Sequence, residues 1–379
     1  MLQRLTAGLL AFVLELSLAL PFAVCCGNKT PEGGEEPGEP EEKEITLDLA
    51  IAKKIIQDDA GVTAGDGMYS ILLPDGRSIF LMGDSYTGKV TAGARSTGDH
   101  MFRNTYQVYD NGRVSAITSG PDHSAAVPVD YPDERRWYWP GHGFVSGNTL
   151  YIFQLLMYQG AEGAWGFRYL ETHVLEYSLP DIKLIRDYKV PYSGTSEAVY
   201  GAAALNDGEK VYVYAQYEKA NGDPFNPVSQ VLCARTTTAE LESRWEYYTG
   251  SGWSADSKDA VPLSGLSSVP VSSQFNVFKL RGKYVLLTQH KMLGDGRIFT
   301  AVSDTPYGPW RNLKQIFKVP ELASSKWFTY NAMAHPQFER NGEILVSFCV
   351  NTEDFLEQFT NVECYRPRFF WYPVDRILQ

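Results

Sequence analysis

Five stretches of this chain read as β-hairpins, and their repetition constrains the fold more than any other feature. Each has two apolar or β-branched runs joined by a tight glycine-containing turn, usually with Asp or Asn beside the glycine, which is the strongest short-range hairpin signal. In chain order they are SILLPDGRSIFLMGD, GFVSGNTLYIF, AALNDGEKVYVYAQ, VFKLRGKYVLLTQ and PQFERNGEILVSF. Because no convincing amphipathic helix follows residue 66, the sequence predicts an all-β fold.

The spacing of the hairpins indicates how they are arranged. Their second strands start at intervals of 71, 61, 73 and 60 residues. The predicted starts are Ser78, Thr149, Lys210, Lys283 and Glu343. Five similar units at this period are typical of radial repetition, so we expect a five-bladed β-propeller. A two-sheet sandwich is the alternative and predicts shorter, less regular spacing. Closing the ring requires residues 45–60 or the final strand, YRPRFFWYPVDRI, to complete a shared blade.

The N-terminal segment differs in composition from the rest. Residues 1–26 are predicted to be a lipoprotein signal peptide, since a basic start and an apolar run lead to Cys25 and Cys26, either of which is a candidate for lipid attachment. A plain secretory signal is the alternative. Residues 27–44 contain seven glutamates and three prolines and predict a disordered acidic tether. We therefore expect a lipid-anchored cell-envelope protein, periplasmic or surface-exposed on the outer membrane, with residues 45–379 as the propeller.

Charge and cysteine usage argue against several other classes. Residues 45–379 carry 37 acidic and 31 basic residues without a basic run, which argues against a nucleic-acid partner. Cys233, Cys349 and Cys364 lack metal-ligand spacing, so buried free thiols are expected, with a Cys349–Cys364 bridge as the alternative. We expect no metal, no cofactor, a monomer, and membrane contact through the lipid anchor only.

The first hairpin brings two carboxylates together. Pro-Asp-Gly at 74–76 fits a three-residue loop, because proline suits the first turn position and glycine accepts a positive φ. This loop sets Asp66 opposite Asp84 at the open end of the hairpin. Directly opposed Cβ atoms lie roughly 4.5–5.5 Å apart.

Opposed carboxylates are unfavourable in a sheet unless the pair has a use. Since both cannot ionise easily, one pKa rises while the other stays low, which gives an acid and a base in one site. Glycoside hydrolysis needs such a pair. Glu197, at the start of the third unit, is a candidate third catalytic carboxylate. The alternative is that the aspartates cap turns and that Glu197 is a solvated loop charge.

Polar and aromatic side chains recur at one end of several hairpins, which in a propeller is a mouth of the central channel. Aromatic rings there can stack on sugar faces, and polar groups can bind sugar hydroxyls. The predicted substrate-binding residues are Trp137, Trp139, His142, Gln216, Gln274, Asn331, His335 and Arg368. Packing between blades is the alternative for the tryptophans, and a satisfied structural role for the histidines. The alternatives for Arg368 are that it holds one carboxylate of the aspartate pair ionised, or that it caps the last strand.

Several motifs resemble a known family. DGMYSILLPDGRSIFLMGDSYTG, FRNTYQV, WYWPGHG, YNAMAHPQF and YRPRFFW are similar to the bacterial family numbered 4185 among domains of unknown function, over about residues 60–379. That family includes endo-D-arabinanases of glycoside hydrolase family 183, so the resemblance implies a five-bladed propeller with catalytic aspartates at Asp66 and Asp84. SDTPYGPW more distantly resembles an outer-strand motif of family-43 and family-32 glycosidases, although His142 stands where family-43 enzymes have an acidic residue.

These features together predict a glycoside hydrolase that cleaves furanosidic, arabinan-like or related linkages. Asp66 and Asp84 are expected to be its acid and its base or nucleophile. One alternative is a non-catalytic glycan-binding lipoprotein, in which the two aspartates point apart or an arginine covers one of them with no cleft. Another is a structural or adhesive envelope protein, which predicts no deep polar pocket on the axis.

Overall fold

The structure, a computed structural model, describes residues 44–118, 135–163, 166–192, 197–219, 228–292 and 295–379. The predicted signal peptide with Cys25 and Cys26, and the predicted tether except its last residue, lie outside the described residues. Among the residues that are described, no helical segment has the length and apolar character needed to span a membrane.

The first seven strands form two antiparallel sheets. They are β1 (Ala64–Gly65), β2 (Tyr69–Leu72), β3 (Ser78–Met82), β4 (Ser85–Tyr86), β5 (Met101–Phe102), β6 (Thr105–Asp110) and β7 (Arg113–Ile117). A four-stranded sheet has the order β2-β3-β6-β7, and a small sheet at the end of the first hairpin has the order β1-β4-β5.

Four larger antiparallel sheets follow in chain order. The second unit is β8 (Arg136–Ser146), β9 (Thr149–Gln159), β10 (Phe167–Ser178) and β11 (Lys183–Lys189). The third is β12 (Ala198–Asn206), β13 (Val211–Lys219), β14 (Val228–Thr236), β15 (Glu246–Tyr248) and β16 (Trp253–Ser254). The fourth is β17 (Asn276–Leu280), β18 (Lys283–Gln289), β19 (Arg297–Ser303) and β20 (Arg311–Lys318). The last is β21 (Trp327–Arg340), β22 (Glu343–Thr352) and β23 (Arg368–Pro373). In each sheet, strands that are consecutive in the chain are neighbours.

Helices are short and lie near the chain ends. They are α1 (Leu49–Ile55), α2 (Glu357–Thr360) and α3 (Val374–Leu378). Single 3₁₀ turns occur at Thr238–Glu240, Ser257–Asp259 and Val362–Tyr365. The helix α1 begins after Asp48 because the Asp48 carboxylate accepts hydrogen bonds from the backbone N–H groups of Ala50 and Ile51 at 2.9 and 3.0 Å.

Local turn chemistry sets the strand boundaries. At Asn341-Gly342 both φ angles are positive, 50° and 75°, as a two-residue type I′ hairpin turn requires. The second strands begin at Ser78, Thr149, Lys283 and Glu343 as predicted, and at Val211, one residue after the predicted start. The chain is therefore all-β as expected, and its six sheets do not fit the two-sheet sandwich.

Apolar side chains pack between each large sheet and the next. Buried clusters join the first sheet to the second, the second to the third, the third to the fourth, and the fourth to the last. A further cluster joins the first sheet to the last, with Phe80 of β3 and Phe369 of β23 among its members. The first strands of the sheets also touch: β8 contacts β2 and β12, β17 contacts β12 and β21, and β21 contacts β2.

The start of the folded part extends the last sheet. Leu47 forms a β-bridge with Phe370, and the backbone N–H of Asp48 donates to the carbonyl of Phe369 at 2.7 Å. The indole N–H of Trp371 donates to the Asp48 carboxylate at 2.8 Å. Both segments that the sequence suggested for ring closure therefore lie in one sheet.

The three cysteines of the folded part are buried free thiols, as predicted. The alternative of a Cys349–Cys364 disulfide is wrong.

Candidate active site

The first hairpin sets Asp66 opposite Asp84. Its loop is closed by a hydrogen bond from the N–H of Leu73 to the carbonyl of Arg77 at 2.8 Å. At the open end, the N–H of Asp66 donates to the carbonyl of Asp84 at 3.1 Å, and the N–H of Gly83 donates to the carbonyl of Asp66 at 2.8 Å. The pairing is interrupted at the two aspartates, but its register is the same on either side, with Tyr69 opposite Leu81 and Gly65 opposite Ser85, so the predicted opposition of Asp66 and Asp84 holds.

Gly67 and Gly83 let the two strands of the first hairpin approach each other closely and leave room for the Asp66 carboxyl group. A Cβ atom on Gly83 would lie 2.4 Å from Oδ1 of Asp66, so the Asp66 carboxyl group occupies the space of a side chain at position 83. Gly67 has a φ of 99°, and a Cβ atom there would lie 2.8 Å from the backbone nitrogen of Gly83. The Asp-Gly and Gly-Asp dipeptides are thus needed for the pairing itself.

Asp66 is half-buried and is bound by a tyrosine from the last sheet. The hydroxyl of Tyr330 donates to Oδ2 of Asp66 at 2.7 Å, and the Asn351 amide donates to that hydroxyl at 3.2 Å. Burial, and next the negative charge of Asp84, raise the pKa of Asp66 to about 7. Asp66 can therefore retain a proton near neutral pH.

Asp84 has a different environment. Nη1 of Arg103 donates to its Oδ2 at 2.9 Å, and the indole N–H of Trp139 donates to its Oδ1 at 2.8 Å. Burial raises the pKa of Asp84, and the Arg103 charge opposes that rise. The hydroxyl of Tyr365 donates to the main-chain carbonyl of Asp84 at 2.7 Å. Because Arg103 favours the ionised form of Asp84, the proton retained by the pair belongs on Asp66.

Among the predicted binding residues, Trp139 is the one bonded directly to the pair. Trp137 is buried beside it, and the Arg103 guanidinium lies 4.4 Å from the centre of its ring, so Trp137 supports Arg103. Asn331 and Gln274 bind each other, with the Asn331 amide donating to Oε1 of Gln274 at 3.1 Å. Both are half-buried at the starts of neighbouring sheets.

Two further predicted residues lie at the start of the third sheet. The Gln216 amide is buried and donates to the Ser229 hydroxyl at 2.8 Å and to the Glu218 carboxylate at 3.2 Å. Glu197 is exposed, and its carbonyl accepts from the N–H of Glu218 at 2.7 Å. Within the described part of the chain, no recorded contact joins Glu197 to either aspartate, so its catalytic role stays a prediction.

The two predicted histidines lie in the interior, and their role in substrate binding stays a prediction. His335 is fully buried, and its two ring nitrogens are 2.7 Å from the Ser70 hydroxyl and 2.9 Å from the Ser347 hydroxyl. His142 is buried and stacks on Tyr69 with ring centres 5.2 Å apart. Burial lowers the pKa of His142 to about 4 and of His335 to about 3. Both are neutral side chains of the packed interior.

Arg368 is bound to the turn beside it, and its role in substrate binding stays a prediction. Its guanidinium donates to the carbonyl of Glu363 at 2.7 Å and to that of Arg366 at 3.3 Å, and it pairs with the Glu363 carboxylate at 3.1 Å. Arg368 therefore holds the turn that carries Tyr365. The cation at the aspartate pair is Arg103, which sequence reasoning did not select.

A cleft of about 670 Å³ shares Arg103 with the pair, although neither aspartate is among its lining residues. Its walls include Arg103 and Trp137, and the hairpin end Gln159–Gly163 forms another side. Of the described residues, no cluster of three or more His, Cys, Asp or Glu side chains could hold a metal ion.

Comparison with known proteins gives a family and a fold. The family model described as "Domain of unknown function (DUF5005)" matches residues 53–372. A crystal structure from Bacteroides ovatus ATCC 8483, described as a "putative hydrolase", has a TM-score of 0.69 at 22% identity and covers 86% of this chain and 89% of that chain. This similarity shows a shared fold. No curated protein matches the chain.

Two other solved structures are more distant. A β-xylosidase/α-arabinofuranosidase from a compost metagenome, CoXyl43, has a TM-score of 0.47 at 14% identity and covers 83% of this chain and 91% of that chain. An α-L-arabinanase mutant from Cellvibrio cellulosa has a TM-score of 0.46 at 10% identity and covers 81% and 91%. The resemblance to family 4185 is not confirmed by these comparisons.

Proposed function

The chain belongs to the DUF5005 domain family, and we propose that it is a glycoside hydrolase with Asp66 as general acid and Asp84 as its ionised partner. The observation that carries this proposal is the unequal environment of two opposed carboxyl groups. Asp66 is paired with a neutral hydroxyl and has a pKa near 7, while Asp84 is paired with a guanidinium. Two carboxyl groups whose pKa values are pushed apart are what glycoside hydrolysis requires.

The two aspartates have distinct chemical tasks in this mechanism. Protonated Asp66 donates its proton to the glycosidic oxygen of the leaving group, which removes negative charge as the bond breaks. Asp84, kept ionised by Arg103, either attacks the anomeric carbon or deprotonates the attacking water. Tyr330 holds Oδ2 of Asp66 and so leaves Oδ1, which lies over Gly83, as the oxygen that carries the proton.

We propose a five-bladed propeller as the architecture that carries this site. The β2-β3-β6-β7 sheet and the four sheets that follow it in the chain are one blade each. The small β1-β4-β5 sheet extends the first blade. Support comes from the contacts between first strands, which lead from β2 through β8, β12, β17 and β21 back to β2. The apolar cluster between the first and last sheets supports the same ring. The aspartates then lie at one mouth of the axis, where the first strands begin.

For the substrate we propose a furanosidic, arabinan-like or related glycan. Support comes from the motifs around Asp66 and Asp84 that resemble family 4185. We further propose that Cys25 or Cys26 carries a lipid that anchors the monomer in the cell envelope, and that Glu197, Gln274 and Asn331 contact the glycan.

The test is hydrolysis of a panel of arabinans and other microbial glycans by the full chain, with Asp66→Asn and Asp84→Asn as variants. Loss of a general acid or of its partner lowers turnover about 10²–10⁴-fold. Asp59→Asn is the matched control, because Asp59 is exposed and lies outside the site. Full activity in both site variants would exclude the mechanism.

One observation favours a non-catalytic glycan-binding protein instead. Both carboxylate oxygens of Asp84 already accept hydrogen bonds, from Arg103 and from Trp139. In a binding module these contacts would stay in place while the glycan is bound. The Asp84→Asn variant would then bind glycan with wild-type affinity, and neither protein would hydrolyse it. If the wild type releases reducing sugar and the Asp84→Asn variant does not, the protein is a hydrolase.

A further inference from the structure

A series of side-chain hydrogen bonds leads from the interior of the protein to Asp66. The Tyr86 hydroxyl donates to Oε1 of Gln358 at 3.2 Å, and the Gln358 amide donates to Oδ1 of Asn351 at 3.0 Å. The Asn351 amide donates to the Tyr330 hydroxyl at 3.2 Å, and that hydroxyl donates to Oδ2 of Asp66 at 2.7 Å. We call the four side chains that precede Asp66 in this series the donor chain.

One backbone group fixes the direction of the donor chain. The N–H of Thr352 donates to Oδ1 of Asn351 at 2.8 Å, so the other end of that amide, its NH₂ group, faces Tyr330. Gln358 must then present its own NH₂ group to Oδ1 of Asn351, which turns its Oε1 towards Tyr86. An amide has donors at one end and an acceptor at the other, so each member donates to the next one, and the last donates to Asp66.

The donor chain connects separate elements of the fold. Tyr330 and Asn351 lie on the neighbouring strands β21 and β22, Gln358 lies on α2, and Tyr86 lies on β4. Gln358 and Tyr86 are buried. Hydrogen bonds in a buried series polarise one another, so a change at its first member can be felt at its last.

A cation stands at the far end of the donor chain. The Arg95 guanidinium lies 4.3 Å from the centre of the Tyr86 ring, and its Nε donates to the main-chain carbonyl of Gln358 at 3.2 Å. Burial raises the pKa of Tyr86, and the Arg95 charge opposes that rise. Because a nearby positive charge makes the Tyr86 hydroxyl a stronger donor, Arg95 reinforces the direction that the Thr352 N–H imposes.

A donor chain of this direction favours one charge state of Asp66. Hydrogen bonds donated to a carboxyl group favour its ionised form. Burial and the charge of Asp84 oppose that form. The ionised form is the one that a general acid must reach when it gives up its proton.

We propose that Asn351 and Gln358 are positioning residues that act on Asp66 through Tyr330, so that the donor chain stabilises the carboxylate formed when Asp66 donates its proton. This inference rests on the proposed role of Asp66 as general acid. In the part of the chain that the structure describes, no recorded hydrogen bond joins Gln358 to Asp66, so its effect has to pass through the members between them.

Other titratable or charged groups also face Asp66. They come from the first hairpin, the turn before β6, strand β22 and the 3₁₀ turn after α2, and they are Asp84, Arg103, Cys349 and Tyr365. None of them is a member of the donor chain. Substitutions within the donor chain leave these groups in place, so a change in the pKa of Asp66 reports on the donor chain.

The test measures the pKa of Asp66 in the full chain without substrate. Aspartate carboxyl groups labelled with ¹³C are titrated by NMR, and Asp66→Asn identifies the signal. Tyr86→Phe removes the first donor, and Gln358→Met removes the second with a side chain of similar length. Both should raise the pKa of Asp66, by less than Tyr330→Phe does. Gln315→Met, at an exposed glutamine of β20, should leave it unchanged.

A double variant separates transmission through the donor chain from local support of the fold. With Tyr330→Phe in place the series no longer reaches Asp66, so adding Gln358→Met should shift the pKa no further. An unchanged pKa in both Tyr86→Phe and Gln358→Met, or additive shifts in the double variant, would overturn the proposal. If Gln358→Met does not fold, Tyr86→Phe takes its place in both measurements, because it removes a single oxygen atom.

Kinetics separate this inference from the proposed function. Gln358→Met should lower kcat and leave KM unchanged, because it makes proton donation by Asp66 less favourable without touching the glycan. A raised KM at unchanged kcat would overturn the proposal. Hydrolysis by the wild type without any shift in the pKa of Asp66 among the variants would overturn the donor chain and leave the glycosidase intact. The predicted shifts in a protein that hydrolyses no glycan would support the donor chain and overturn the glycosidase.

Discussion

The backbone N–H of Asp66 donates to the backbone carbonyl of Asp84 at 3.1 Å, so the main chain itself holds the two carboxyl groups together. Their surroundings then make them unequal. Tyr330 supplies a neutral donor to Asp66, and Arg103 supplies a charge to Asp84.

The stability of the protein should depend on the ionisation of Asp66. Its pKa is 3.8 in an unfolded chain and about 7 in the folded one, so the folded state binds the proton more tightly. The contribution of Asp66 to the free energy of unfolding should therefore be fully present below about pH 3.8 and be lost as pH rises through about 7, because a buried charge then forms beside Asp84. Urea unfolding at several pH values measures this slope. Asp66→Asn should remove that part of the slope and Asp59→Asn should keep it; an identical slope in all three proteins would contradict the assignment.

Arg103→Gln should slow hydrolysis and shift its pH dependence. Without the guanidinium, burial raises the pKa of Asp84 further, so the acidic limb of the kcat profile should move to higher pH. Turnover near neutral pH should fall about 10–100-fold, and Arg103→Lys should recover part of it. Arg113→Gln is the control. A pH profile that does not move would show that Arg103 does not set the charge of Asp84.

Tyr330→Phe should move the other limb of the profile. The hydroxyl of Tyr330 donates to Asp66 and so favours its ionised form. Its loss should raise the pKa of Asp66 above its value of about 7, because a hydrogen bond that favours the ionised form is removed. The alkaline limb of the kcat profile then lies at higher pH. Tyr109→Phe, on β6, should behave as wild type, and a shift in both variants would rule out a specific effect.

Gly83→Ala should impair activity in a folded protein. A Cβ atom at this position would lie 2.4 Å from Oδ1 of Asp66, so the carboxyl group has to move away from its place opposite Asp84. Misplacing a reacting group by about 1 Å costs on the order of 10²-fold in rate. Gly98→Ala, in an exposed turn where the nearest atom is 3.5 Å away, is the matched control. Full activity of the folded Gly83→Ala protein would mean that Oδ1 is not the reacting oxygen.

Local chemistry explains what the sequence could predict. Strand starts and the opposition of Asp66 and Asp84 follow from the turn residues of each hairpin, which act over a few positions. The residues that complete the site could not be found in this way. Arg103, Tyr330 and Tyr365 come from other strands or turns, and their only signal was their place in the motifs FRNTYQV, YNAMAHPQF and YRPRFFW.

Bulges limit what counting along the hairpins can locate. Counting equal offsets from each hairpin assumes an unbroken register, but the pairing of β8 with β9 shifts between Pro140 and Gly143, where His142 lies. The pairing of β21 with β22 shifts between Tyr330 and Met333. In the last sheet it is therefore Tyr330 that reaches Asp66, one residue before the predicted Asn331. A bulge changes the direction in which the following side chains point, and the position of a bulge cannot be read from sequence periodicity.

The bond from Tyr365 to the carbonyl of Asp84 spans 281 positions of the chain. A ribosome must therefore complete almost the whole polypeptide before this donor exists. A premature stop codon upstream of position 365 removes it, along with the strand that joins the two termini. Chemistry that depends on this bond therefore requires a chain that extends from the first hairpin at least through Tyr365.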